Sequence, residues 1–202
     1  MNYLLKLSTF IVFSIVSGFA SADMYAVVDV GQGTAANYCP SQAAGVTCSN
    51  STSITQFGLG YQFTKYVALE ANYLSSGDLS SSSCTTTICA NGGGSTDTKS
   101  NLSGIKLSVA LSVPVNDTFS FIGKLGLLSS TVVSSDTLAG NSFSTSTSYA
   151  NSTVSYGIGA LINLNDRFAL RVLYEDMGSV KASSAGTGSN LTAVSGGVVV
   201  NF

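Results

Sequence analysis

Arg167-Phe168-Ala169-Leu170-Arg171-Val172-Leu173-Tyr174-Glu175-Asp176 is the stretch that decides the fold. Side chains of a β-strand alternate between faces with a period of two. Phe168, Leu170, Val172 and Tyr174 therefore share one face, and Ala169, Arg171, Leu173 and Glu175 share the other. The run is also about as long as a tilted strand needs to cross a hydrocarbon layer.

The same texture recurs along the chain. Strands are expected near 23–31, 53–63, 66–75, 102–113, 118–129, 152–164, 167–176 and 191–202. In the third, Val67, Leu69, Ala71 and Tyr73 oppose Ala68, Glu70 and Asn72; in the fourth, Ile105, Leu107, Val109 and Leu111 oppose Lys106, Ser108 and Ala110. In the first, Ala26, Val28 and Val30 are placed outward and Asp29 inward. Short turns at Thr64-Lys65, Pro114 to Asp117 and Asn165-Asp166 alternate with long connections at 32–52, 76–101, 130–151 and 177–190. Short turns at one end and long loops at the other are the layout of a membrane-spanning β-barrel. The expectation is an all-β, eight-stranded antiparallel up-and-down transmembrane barrel with three short periplasmic turns and four long extracellular loops.

Composition narrows the function. The 202 residues include no histidine and no tryptophan, and only 9% are charged, against roughly a quarter in ordinary soluble domains. Without histidine there is no Ser-His or Cys-His dyad and no His-containing zinc site. A Ser-Lys pair using Lys106 or Lys124 would lie mid-barrel without substrate access, so no enzyme and no cofactor are expected. A net charge of −2 offers nothing to a phosphate backbone, so nucleic acid is not expected as a partner.

Residues 1–22 read as a cleavable export signal: Lys6 near the start, the apolar Phe10-Ile11-Val12-Phe13 and Ile15-Val16, then Ala20-Ser21-Ala22 before Asp23. The barrel domain is then 23–202.

The polar strand faces carry Gly, Ser and Ala rather than the Lys and Glu of a solvated surface. The apolar faces are continuous, and aromatics gather near their ends. Phe63, Phe119, Phe121, Phe168 and Phe202 lie near the short turns, and Tyr73, Tyr156 and Tyr174 towards the long loops. Two aromatic belts around an aliphatic band mark lipid contact. A soluble lipocalin-like binder would turn its polar faces outward instead. With the apolar faces in lipid, Asp29, Glu70, Lys106, Lys124, Arg171 and Glu175 point into the lumen, where buried charges should pair. An internal salt-bridge network is expected, packing a narrow lumen; a gate along a pore is the other reading of the same residues. The alternative of a narrow channel passing water, ions or very small solutes would draw on water-filled space at the inward Gly58, Gly60, Gly157 and Gly159, against which stands the little room that eight strands enclose.

Cys39 and Cys48 fall in the first long loop, Cys84 and Cys89 in the second. Three connectivities are possible, and each loop holding its own pair favours Cys39–Cys48 and Cys84–Cys89 in an oxidising compartment. A four-thiolate zinc site would need the two loops to converge and thiolates to persist outside the cell. The loops are otherwise neutral and polar, with Tyr38 and Phe143 as their anchors for a partner.

The chain resembles the OmpA-like family of eight-stranded outer-membrane β-barrels, its opacity-protein-like members most. The resemblance rests on Tyr25-Ala26-Val27-Val28-Asp29-Val30-Gly31, Phe57-Gly58-Leu59-Gly60-Tyr61, Lys124-Leu125-Gly126, the 167–176 strand and the closing Val198-Val199-Val200-Asn201-Phe202. It implies a monomer in the bacterial outer membrane, in contact with outer-membrane lipid. Phe202 resembles the terminal signal read by the barrel-assembly machinery. The family's ending more often has an aromatic and a basic residue before the last Phe, where this chain has Val200-Asn201. The peptidoglycan-binding domain of longer members has no counterpart after Phe202, so no cell-wall tether is implied. The functional expectation is a structural and surface role, with loops available for adhesion or for a surface or host partner; the alternative is the narrow channel.

Overall fold

A computed structural model describes residues 23–36, 47–83, 96–138, 144–181 and 188–202. Eight strands form the wall: β1 (Asp23–Ala35), β2 (Ser51–Thr64), β3 (Val67–Ser76), β4 (Thr96–Pro114), β5 (Phe119–Leu138), β6 (Ser144–Asn163), β7 (Phe168–Val180) and β8 (Ser189–Asn201). Each pairs antiparallel with its neighbours in sequence, and β1 pairs with β8, so the sheet closes on itself. Closure removes the open edges that a flat sheet would expose.

The alternation read from sequence sets the two surfaces. Phe168, Leu170, Val172 and Tyr174 are exposed on the outside of β7, while Ala169, Arg171, Leu173 and Glu175 are buried inside. Ile105, Leu107, Val109 and Leu111 on β4 and Phe57 and Leu59 on β2 also face outward. Ile158, 69% exposed in the isolated chain, has no place in water and belongs in lipid. Phe57 and Tyr73 pack across strands at 5.2 Å between ring centroids, and Phe119 meets Phe121 edge-on at 5.1 Å.

The three short turns share one device. Asn116 Oδ1 accepts from the backbone N–H of Thr118 (2.9 Å) and Phe119 (2.7 Å), and Asn165 Oδ1 from those of Arg167 and Phe168 (both 2.9 Å). Thr64 Oγ1 does the same for Tyr66 and Val67 at 3.2 and 3.1 Å. Asn and Thr side chains replace a missing strand partner in this way, which lets the chain reverse tightly.

The other end differs from the sequence expectation in one respect. The connection expected across 130–151 is mostly strand: β5 runs to Leu138 and β6 begins at Ser144. β4 likewise starts at Thr96 rather than near 102. Ser and Thr carry no apolar alternation there, so the period-2 signal fades although the hydrogen-bond ladder continues. Outward residues of β5 change from Leu125 and Leu127 to Ser129 and Thr131, so the extra length stands beyond the apolar band. Leu79–Ser83 adds to the free side of β4, and Thr47–Cys48 adds to Leu79–Ser83. Residues 1–22, with the expected export signal, lie outside the described residues. So do Cys39, Cys84 and Cys89 and the loop anchors Tyr38 and Phe143; of the four cysteines, Cys48 alone is placed, its backbone paired with Ser81.

Candidate functional site

The inward faces divide the lumen into three levels. The middle level holds charge. Arg171 on β7 donates through Nε to Asp29 Oδ1 (2.9 Å), through Nη2 to Asp29 Oδ2 and through Nη1 to Glu70 Oε1 (2.8 Å). Lys124 Nζ donates to Glu70 Oε2 and Lys106 Nζ to Glu175 Oε1, each at 2.6 Å. Lys124 also lies 3.8 Å from Glu175, which joins the two halves. Asp29, Glu70, Lys106, Lys124, Arg171 and Glu175 thus meet in one cluster of three acids and three bases. Five strands supply it, and sequence separations of up to 142 residues are spanned.

Three neutral residues complete the cluster. Tyr25 Oη donates to Glu70 Oε1 at 2.8 Å, Asn72 Nδ2 to Glu70 Oε2 at 3.3 Å and Gln56 Nε2 to Glu175 Oε2 at 2.9 Å. Glu70 therefore accepts from four donors, which satisfies most of a carboxylate's lone pairs. Sequence reasoning did not single out these three, although Tyr25 and Asn72 share the parity of the lumen charges Asp29 and Glu70, and Gln56 that of the inward Gly58. Both lysines direct their ammonium groups at carboxylates.

Above this level, towards the long loops, lies a dry one. Ile54, Leu74, Leu102, Leu128, Val132, Met177, Leu191 and their neighbours form one buried apolar cluster inside the barrel. Leu74, Leu128 and Met177 have no exposed surface at all. This layer is absent from the sequence expectation.

Below, towards the short turns, the lumen opens into a vestibule of about 690 Å³. Small wall residues, Ala68, Ala110 and Ala169, leave it room, and Tyr25, Glu70 and Arg171 form its inner end.

The inward glycines do not supply open water. A Cβ on Gly60 would strike the ring of Tyr25, one on Gly58 the amide oxygen of Asn72, and one on Gly197 the carboxylate of Asp29. On Gly157 it would lie 2.7 Å from Glu175 Cγ. These glycines are notches that receive the cluster's own side chains, so the water-filled space expected at Gly58, Gly60, Gly157 and Gly159 is occupied. Gly60→Ala should accordingly displace Tyr25 and destabilise the barrel by about 1–3 kcal/mol, the cost of overpacking. Gly123→Ala, where a Cβ meets nothing within 4 Å, should be neutral. Urea unfolding in lipid vesicles compares the two; equal effects would mean that Tyr25 is not held by this notch.

The family described as "Outer membrane protein beta-barrel domain" matches residues 8–202. No curated protein matches the chain. Among solved structures, Neisserial surface protein A superposes with a TM-score of 0.59 at 14% identity, over 90% of this chain and 99% of that one. Ail, the attachment invasion locus protein of Yersinia pestis, gives 0.54 at 12%, over 90% and 99%. OprG of Pseudomonas aeruginosa gives 0.54 at 12%, over 88% and 95%. At such identities these likenesses concern the fold. The family match over nearly the whole sequence, the closed eight-stranded wall and its lipid-facing exterior agree: the chain belongs to the outer-membrane protein β-barrel family and resides in the bacterial outer membrane.

Proposed function

We propose that this barrel is closed to solutes and works at the cell surface, presenting its extracellular end to a partner or surface. The observation that carries the reading is the double filling of the lumen. Charged side chains occupy its middle, and an apolar cluster fills it beyond them. An eight-stranded barrel has little room to spare, and an ion would have to cross a level lined by Leu74, Leu128 and Met177. The reading also fits the names of two structural neighbours, a surface protein and an attachment invasion locus protein. Lipid of the outer membrane surrounds the exterior, the chain acts as a monomer in its own membrane, and Phe202, 77% exposed after β8, serves as the assembly signal. The expected cysteine pairs would brace the loops.

In planar lipid bilayers the purified chain should give no conductance steps. Sustained single-channel steps would overturn the closed reading and favour the narrow channel. The vestibule supports that second reading, because it brings the periplasmic side as far as Glu70 and Arg171.

A further inference from the structure

The extracellular extension of the wall has two edges, and the chain treats them differently. On the β4 side, Leu79–Ser83 pairs with Thr96–Ser100, and Thr47–Cys48 pairs in turn with Ser82 and Ser81. On the β6 side no such added strand is present among the described residues. β5 stays paired with β6 up to Thr137↔Ser144, but β7 pairs with β6 only from Asn163↔Ala169 to Tyr156↔Asp176. Beyond that point the backbone ladder between β6 and β7 stops. Gly178 adopts a left-handed φ of 75°, its N–H is taken by Asp176 Oδ1 at 2.8 Å, and the β7–β8 register slips just above. A bulge of this kind redirects a strand and ends its pairing. Two side-chain clasps follow: Thr153 Oγ1 donates to Met177 O (2.7 Å), and the Asn151 amide both donates to Lys181 O (3.2 Å) and accepts from Lys181 N (2.9 Å). Above Asn151 the β6 edge, Ser144–Ala150, has no strand beside it among the described residues.

An open edge offers a row of backbone donors and acceptors, and proteins usually protect it with charge, proline or a covering element. Ser144-Thr145-Ser146-Thr147-Ser148-Tyr149-Ala150 contains neither a charge nor a proline, and Thr145 to Ser148 are exposed. Residues 144–148 also read the same in both directions, Ser-Thr-Ser-Thr-Ser. In an antiparallel pair of two such edges centred on Ser146, Thr145 meets Thr147, and serine meets serine. Such hydroxyl pairs favour the contact, and no like charges oppose each other.

We infer that the partner of this edge is the same edge of a second copy, carried on an opposing membrane; this rests on the surface-recognition reading above. The orientation follows from direction. β6 runs from Ser144 at the loop end to Asn163 beside the short turn. Barrel strands tilt about 35–45° from the barrel axis, so two of them rising from one flat membrane diverge by about 90° at most. Antiparallel pairing needs opposite directions, which two facing membranes supply. One contact of about five residues is weak; many contacts between two surfaces add through multivalency.

The test uses the full mature chain in phosphatidylcholine–phosphatidylglycerol vesicles, with clustering followed by energy transfer between donor- and acceptor-labelled populations. Wild-type vesicles should cluster in proportion to protein density. Thr145→Lys/Thr147→Lys vesicles should stay dispersed, as should Thr145→Glu/Thr147→Glu vesicles, and mixing these two populations should restore clustering. Absence of clustering by the wild type, clustering of the all-lysine population at the wild-type level, or no recovery on mixing would overturn the inference. Release of a trapped dye from the same vesicles reads the closed lumen separately: leakage counts against the surface-protein reading, dispersal without leakage against the edge pairing alone.

Discussion

Arg171→Ala should destabilise the folded barrel by about 3–5 kcal/mol, the cost of removing one partner from a buried ion pair. Arg171 bonds both oxygens of Asp29 and one of Glu70, and all three side chains are no more than 1% exposed. Its loss leaves Asp29 without these donors and takes the balanced cluster to an excess of one negative charge. Arg171→Lys should recover only part of the loss, because an ammonium cannot span Asp29 and Glu70 as the guanidinium fork does. Equilibrium urea unfolding in lipid vesicles measures both variants. A loss for Arg171→Ala below about 1 kcal/mol, the scale of an exposed pair, would mean that the middle level is wet and its ion pairs are weak.

The cluster was unusually legible in the sequence, and its surroundings were less so. A lone charge in an alternating strand declares its face by parity, so Asp29, Glu70, Lys106, Lys124, Arg171 and Glu175 could each be assigned inward without knowing any partner. Their mutual distances were not readable, because contacts such as Gln56 with Glu175 depend on the stagger of the closed sheet. The apolar level escaped notice for a different reason. Leu74 follows Asn72 inward, and Leu128 shares the parity of Lys124, but at that height the inward face turns apolar while outward neighbours such as Ser75 and Ser129 turn polar, so the contrast that marks the faces lower down is reversed. The inward glycines misled in the same region of the argument. A missing side chain looks like space in one dimension, whereas in the folded wall Tyr25 lies over Gly60 and Asp29 against Gly197. The projecting strands were misread as loop because Ser and Thr have no apolar rhythm, although β-branched Thr favours an extended chain.

Of the two filled levels, the apolar one should be the seal. The charged level borders the vestibule, with Glu70 and Arg171 among the residues lining it, so an ion arriving from the periplasmic side meets polar groups there. Lys124 is bonded to Glu70 and lies 3.8 Å from Glu175, so it can exchange partners without leaving a buried charge alone. Leu74 and Leu128 have no such freedom; they lie in the dry cluster with Met177 and Val132, and an ion entering there loses its hydration without compensation. Leu74→Ser/Leu128→Ser should therefore admit water from the loop side and produce conductance steps in planar bilayers where the wild type gives none. Arg171→Ala, with the apolar level intact, should stay silent despite its larger disturbance of the charges. Truncating a buried leucine costs about 2–5 kcal/mol in a sealed core, so the boiled-against-unboiled gel shift is checked first to establish that each variant is folded. If Arg171→Ala conducts and the double serine variant does not, the order is reversed: the ion pairs close the barrel, and the leucines only pack around them.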